Sequence, residues 1–331
     1  MSSDLDPLGQ VAARLLAQYP VRVRAVERLS RGERSSTFAV QGEDRRYVLR
    51  VCPARPDRTV EHLWSELQWL EALDRSGLRG RVPAPVATRD GSALVSVSAS
   101  ASGGDGGAAL YGVLLTWVPG RTRGRWGPTT ARAVGALTAM LHEHAQGWRV
   151  PEGFERPPVD ERSPVLHALP ERLGALGLGD HVGRVRDALD RVYEVLRELG
   201  QDRRQVGPVH ADIHHGNVLF EGDRAGVIDF DHCGIGPFAC DLATTLFYLR
   251  ARTDVAALRE ALLAGYRSVR GLDEAQVHRL PVLILGRHLE LMSWVLGLGL
   301  AEPARREQAS RRVAADLDEL PDLARLAGLA D

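Results

Sequence analysis

The 331-residue sequence contains no lysine, and all 42 basic residues are arginine. Any site that needs a cation must therefore use a guanidinium, which stays charged and forks onto pairs of oxygens. Cysteine is scarce: Cys52, Cys233 and Cys240 are an odd number in no C-x-x-C spacing. That argues against a disulfide framework and a cysteine-type zinc site and favours a reducing compartment, the cytoplasm. Net charge is nearly absent, because 43 acids against 42 arginines leave -1 at pH 7. So balanced a chain has no bulk field to gather nucleic acid. The most apolar stretch, Leu280 to Leu300, is interrupted by Arg287, His288 and Glu290, so it reads as a buried helix and not as a membrane span. The first residues, MSSDLDPLGQ, are polar and acidic, unlike a signal peptide.

What is present is ordinary for a globular protein: 44% hydrophobic and 26% charged residues, in a length that suggests about two domains at roughly 150 residues each. Asp6-Pro7 opens a short helix that runs to Tyr19. Strand-like runs follow at Val21–Leu29, Thr37–Gln41 and Arg46–Cys52, the last with Tyr47, Leu49 and Val51 on one face and Arg50 on the other. A helix over Asp57–Asp74 carries Leu63, Leu67, Leu70 and Leu73 at helical spacing. Two more strands are expected at Ala93–Val97 and Tyr111–Val118, joined by the Gly/Ser/Ala loop Ser98–Ala109. Pro119-Gly120 breaks the pattern. From there the chain reads as helices at Thr130–Gln146, Asp180–Leu199, Phe238–Arg252, Val255–Arg270, Asp273–Leu300 (broken at Pro281) and Glu302–Leu320, with one strand-like island at Gly207–Asp231. The expected class is α+β: a small antiparallel-sheet lobe with one main helix at residues 1–118, and a larger helical lobe at residues 119–331.

The island concentrates the polar chemistry. Val218–Phe220 and Ala225–Ile228 read as two short strands around the turn Glu221-Gly222-Asp223. A hairpin brings His210, Asp212 and Asn217, ahead of the first strand, towards Asp229 and Asp231, behind the second. Carboxylates gathered with no basic residue among them repel one another. A hard divalent cation such as Mg²⁺, bound through Asp and Asn oxygens, is the natural compensation. Phosphoryl transfer needs such a set, together with a cation on the nucleotide phosphates. The spacing H-x-D-x-x-x-x-N from His210 to Asn217, followed by Asp229, fits that template. Two other classes stay open at this level: a histidine-rich metallohydrolase using His210, His214 and His215, and a nucleotide-binding regulator without turnover.

The strings HADIHHGNVLF (210–220), GVIDFDHCGIGPFACDLA (226–243), YVLRV (47–51), RTVEHLWSELQWLEAL (58–73), VPAPV (82–86) and LLTWVPG (114–120) carry a resemblance. In order and spacing the chain resembles the aminoglycoside phosphotransferase/choline-kinase-like branch of the protein-kinase-like superfamily, above all its homoserine-kinase-type and stress-response Ser/Thr kinase members. The resemblance implies a bilobal protein-kinase-like fold. It implies Mg²⁺-dependent transfer of the ATP γ-phosphate, with GTP as an alternative donor, to a hydroxyl of a small molecule or a protein Ser/Thr. Asp212 would be the catalytic carboxylate and His210 the brace of its loop. Asn217 and Asp229 would bind Mg²⁺, with Asp231 as a further metal or loop residue. Arg50 would touch the nucleotide phosphates and pair with Glu66. The loop Ser30–Ser36 would cover the phosphates, with Ser35 and Ser36 supplementing its single glycine, and the backbone of Thr116, Trp117 and Val118 would hold the adenine. Asp241 would hydrogen-bond the catalytic loop.

Beyond these, His142 is expected to be buried or capping, and His214 and His215 to shape the acceptor side of the loop. Arg287, His288 and Glu290 are open between core structure and the lining of an acceptor pocket.

Overall fold

The computed structural model describes residues 7–31, 35–53, 55, 58–98 and 109–328. Gly32 to Arg34 of the expected phosphate loop, and most of the Ser98–Ala109 loop, lie outside the described residues. The chain divides into two compact units. The first comprises Met1–Gly120, Arg149–Glu155 and Gly226–Ile228, and the second comprises the remainder.

The first unit contains helix α1 (Pro7–Leu16), strands β1 (Val23–Arg31), β2 (Ser36–Gly42) and β3 (Arg46–Pro53), helix α2 (Val60–Asp74), and strands β4 (Val95–Ser98) and β5 (Ala109–Thr116). The strands form one antiparallel sheet in the order β1-β2-β3-β5-β4. Its register sets Phe38 opposite Leu49, Val40 opposite Tyr47, and Leu49 opposite Leu114. The two-residue pleat puts these side chains on one face, where they meet Val11, Leu15 and Tyr19 in a buried cluster. The Tyr19 hydroxyl donates to the Gly112 carbonyl at 3.1 Å and accepts from the Leu114 amide at 3.2 Å. Arg50 faces the other way. Helix α2 starts at Val60, and the expected start at Asp57 lies outside the described residues. Thr59 caps the helix: the Thr59 hydroxyl accepts from the His62 amide at 3.3 Å and the His62 ring from the Thr59 amide at 3.4 Å.

The rest of the chain supplies β6 (Arg121–Thr122), α3 (Pro128–Gly147), α4 (Pro164–His167), α5 (Leu169–Ala175), α6 (Val182–Gly200), β7 (Val206–Val209), β8 (Val218–Glu221), β9 (Arg224–Val227), β10 (Gly234–Pro237), α7 (Ala239–Leu249), α8 (Val255–Arg267), α9 (Glu274–Ala301) and α10 (Arg306–Leu326). The expected hairpin is β8–β9, and β6 extends it on the β8 side. The pair β7–β10 was not anticipated, because VGPV and GIGP carry residues that disfavour strands.

Helices α3 and α8 approach closely at Gly135 and Gly265. A methyl group at Gly135 would overlap the Leu262 carbonyl, and one at Gly265 the Arg132 carbonyl. The break expected at Pro281 does not occur, and α9 runs through it. An interior proline costs about 3 kcal/mol. Leu280, Val282, Leu283 and Leu285 beside it are buried, each contributing about 1.5–3 kcal/mol. By length and apolarity α9 is able to cross a membrane, yet 61% of its apolar window is buried inside the protein. The last helix begins at Arg306, not Glu302, after a turn over Pro303–Arg305.

Candidate active site

The loop between β7 and β8 is held from behind by one carboxylate. Asp241, in the first turn of α7, accepts the His210 amide on Oδ2 at 2.9 Å and the Ala211 amide on Oδ1 at 2.6 Å. The His142 Nε2 lies 3.0 Å from the same Oδ2, and the Tyr266 hydroxyl 2.9 Å from His142 Nδ1. Burial favours neutral Asp241, but its bond to His142, the nearby imidazoles and the His210 amide outweigh this and hold it ionised. Burial also keeps His142 neutral, against the pull of Asp241. A neutral His142 that accepts from Tyr266 carries its proton on Nε2, facing Asp241. Three donors thus converge on one buried carboxylate. Ala211 sits at φ +62, a left-handed conformation that costs an alanine about 1–2 kcal/mol.

That loop presents Asp212. Its backbone amide donates to the ring of His210 at 3.2 Å, and the fully buried His210 ring packs on Phe230 with centroids 4.5 Å apart. The carboxylate is gripped on both oxygens. Oδ1 lies 2.6 Å from Arg287 Nη2 of α9, and Oδ2 lies 3.0 Å from the Asn217 amide nitrogen and 3.3 Å from His214 Nε2. The Gly216 amide donates to His214 Nδ1 at 2.9 Å, which leaves Nε2 as the ring nitrogen that donates to Asp212. Burial raises the Asp212 pKa. The hydrogen bond from His214 and the charge of Arg287 outweigh burial and bring it down to about 2.

Asn217 precedes β8, and Asp229 follows β9 at the same end of the hairpin. Asn217 donates its amide nitrogen to both the backbone and the carboxylate oxygen of Asp212 at 3.0 Å, which leaves its amide oxygen out of that contact. Asp229 is also left-handed, at φ +66, and leads into the turn Phe230–His232. Arg156 holds that turn by donating to the carbonyls of Asp231 at 2.7 Å and Cys233 at 2.6 Å. Among the described residues no group of three or more His, Cys, Asp or Glu is arranged for a metal. The donors on offer are an amide oxygen and carboxylates. They suit a hard cation that takes few protein ligands and completes its shell with phosphate and water, as Mg²⁺ does.

The first unit holds the other expected pair. Arg50 Nη1 lies 2.8 Å from Glu66 Oε1, with both side chains buried. Ser36 opens β2 opposite Val51, and Ser35 precedes it. Of the segment expected at the adenine, the Thr116 amide is already committed to the Ala84 carbonyl at 2.8 Å. That amide is therefore not a donor to the adenine, and the expectation for Trp117 and Val118 is unaffected by it. The Trp117 ring lies under the Arg46 guanidinium, 3.8 Å from its centroid.

Within the second unit a pocket reaches Ala211 and Arg287. Leu166, Val192 and Leu283 give it an apolar lining, and Thr244 and Glu290 a polar one.

The family model described as the phosphotransferase enzyme family matches residues 25–280. The chain belongs to this family. Homoserine kinase of Phenylobacterium zucineum (strain HLK1) is 31% identical to this phosphotransferase over 291 residues, 84% of this chain and 81% of the relative. Amicoumacin kinase of Bacillus subtilis (strain 168) is 24% identical over 292 residues, 85% of this chain and 82% of the relative. Among solved structures, the microcompartment-associated aminopropanol kinase has a TM-score of 0.78 at 27% identity, covering 97% of this chain and 99% of its own.

Membership replaces the metallohydrolase alternative, and the site agrees: His210 and His214 each receive a backbone amide on a ring nitrogen. Sequence reasoning misses one residue of this phosphotransferase and leaves another undecided. Arg156 gives no signal beyond being one arginine among many, whereas His214, expected to shape the acceptor side of the loop, lies against Asp212. Arg287 was marked only by its charge in an apolar run, and the structure places it on Asp212.

Proposed function

We propose that this phosphotransferase moves the γ-phosphate of ATP to a hydroxyl of a small molecule, with Asp212 facing the acceptor. The observation that carries this reading is the grip on Asp212. The carboxylate is ionised and fixed by Arg287, Asn217 and His214, and its neighbour Ala211 and its partner Arg287 line a pocket of mixed apolar and polar character, which suits a small organic acceptor. The acceptor oxygen attacks the γ-phosphorus as the bond to the β–γ bridging oxygen breaks and ADP leaves with that electron pair. Asp212 orients the O–H and receives its proton as the new O–P bond forms. His210 and Asp241 are positioning residues that shape the loop. Asn217 and Asp229 would hold the divalent cation, Mg²⁺ in this reading, with Asp231 as a further metal or loop residue. When bound, the cation neutralises charge on the phosphates. Arg50, set by Glu66, would bind phosphate oxygens from the first unit, with Ser35 and Ser36 near them and Trp117 and Val118 at the base. ATP is an intracellular donor, so the reaction is placed in the cytoplasm.

The test is calorimetry of ATP with and without Mg²⁺, paired with ADP release over homoserine, aminopropanol, amicoumacin, ethanolamine, choline and aminoglycosides. Mg²⁺-dependent binding and turnover on one acceptor are expected. Asp212→Ala should abolish transfer and leave ATP affinity within about threefold. Absence of nucleotide binding, or near-wild-type transfer by Asp212→Ala, would overturn the reading.

A further inference from the structure

Arg287 is a buried guanidinium shared by two carboxylates. Its Nη2 lies 2.6 Å from Asp212 Oδ1 and its Nη1 2.6 Å from Glu290 Oε2, with the Tyr248 hydroxyl 3.3 Å from Nη2. Arg287 is only 8% exposed, and α9 buries Leu283, Leu285, Leu289 and Met292 around it. A leucine would fill such a place without a desolvation penalty, and a buried ion pair seldom stabilises more than apolar packing does. Packing therefore does not account for the guanidinium, whereas its partner does.

An ionised carboxylate offers about four lone-pair directions. Asn217 and His214 use those on Asp212 Oδ2, and Arg287 uses one on Oδ1. The fourth direction is on Oδ1, next to Arg287. We propose that Arg287 is a positioning residue for phosphoryl transfer: it fixes the plane of the Asp212 carboxylate and so makes Oδ1 the oxygen that meets the acceptor hydroxyl. The inference rests on the reading of Asp212 as the acceptor-facing carboxylate. Without Arg287 the carboxylate turns about its Cβ–Cγ bond, and a bound acceptor loses its defined partner. Water, small and mobile, depends less on that orientation. Arg287 thus favours transfer to the acceptor over hydrolysis of ATP.

The test measures ADP release by the full chain with and without saturating homoserine, or the acceptor that the panel returns in its place. Arg287→Met should lower the acceptor-dependent kcat at least about tenfold and lower it at least about threefold more than it lowers acceptor-free ADP release, with the KM for ATP changed less than about threefold. Arg287→Lys should recover part of that loss by restoring one cationic contact. In an Asp212→Asn background, Arg287→Met should lower the remaining rate by less than about twofold, because its partner has already changed. Parallel falls of the acceptor-dependent and acceptor-free rates would overturn the proposal, as would multiplicative effects of the two substitutions. If Arg287→Met does not fold, the two rates of Arg287→Lys decide: a selective loss of transfer supports positioning, and a parallel loss or no loss overturns it. Near-wild-type transfer by Asp212→Asn would instead remove Asp212 from the acceptor, a separate failure.

Discussion

Asp241→Asn tests whether one buried carboxylate sets the geometry of the catalytic loop. The carboxylate accepts from the His210 amide at 2.9 Å, the Ala211 amide at 2.6 Å and His142 Nε2 at 3.0 Å. Asparagine keeps one acceptor oxygen and turns an NH₂ towards groups that are themselves donors. At most one of its two ends is then satisfied. Hydrogen bonds to a charged acceptor are worth about 1.5–3 kcal/mol each, so losing two sets an upper bound of about 3–6 kcal/mol. Partial relaxation of the loop brings the expected loss of unfolding free energy to about 2–4 kcal/mol. Against a typical total of about 5–15 kcal/mol the protein stays folded at 25 °C. Released from Asp241, Ala211 sheds about 1–2 kcal/mol of left-handed strain by moving the loop that carries Asp212. Each 1.4 kcal/mol added to the barrier is about tenfold in rate. The expected result is a kcat lower by about tenfold or more, an ATP KM within about threefold, and a lower urea midpoint. A variant with wild-type kcat and an unchanged midpoint would refute the reasoning.

Three further outcomes are expected. Asp229→Ala should remove the Mg²⁺-dependent gain in ATP affinity seen by calorimetry, and an undiminished gain would take Asp229 away from the metal. Gly265→Ala drives a methyl group into the Arg132 carbonyl, a backbone clash that no rotamer relieves. It should destabilise by about 2–4 kcal/mol, read as a lower urea midpoint. His142 and His288 are both held below the ordinary histidine pKa, chiefly by burial. The unfolded chain takes up protons on them as pH falls through about 6.5, while the folded chain does not. Stability therefore falls below about pH 6.5 by up to about 1.4 kcal/mol per pH unit for each histidine, until its folded pKa is reached. Urea midpoints at pH 8, 6 and 5 that stay level would contradict this.

The first unit was legible because its strands obey the pleat: Tyr47, Leu49 and Val51 alternate with Arg50, and that alternation alone places core and cation on opposite faces. The hairpin β8–β9 was legible for the same reason, with a glycine turn between two short apolar runs. Less was visible where local preference and tertiary packing disagree. Strands β7 and β10 each include glycine and proline, and α9 ignores Pro281 because leucines on either side of it are buried. The link between Arg287 and Asp212 spans 75 residues. It depends on which way α9 is rotated against the loop, and helical periodicity in α9 shows only that a charge interrupts an apolar run.

The pairing of Arg50 with Glu66 has a chemical consequence. The cation expected at the nucleotide phosphates has no primary amine, and no side chain anywhere in the chain has one. Nucleotide reagents that acylate an amine beside the phosphates would leave Arg50 unmodified, however tightly this protein holds the parent nucleotide. A survey that detects kinases by such labelling would pass over it. Guanidine-directed dicarbonyl reagents are the ones matched to this pair, and nucleotide protection against them would report on occupancy.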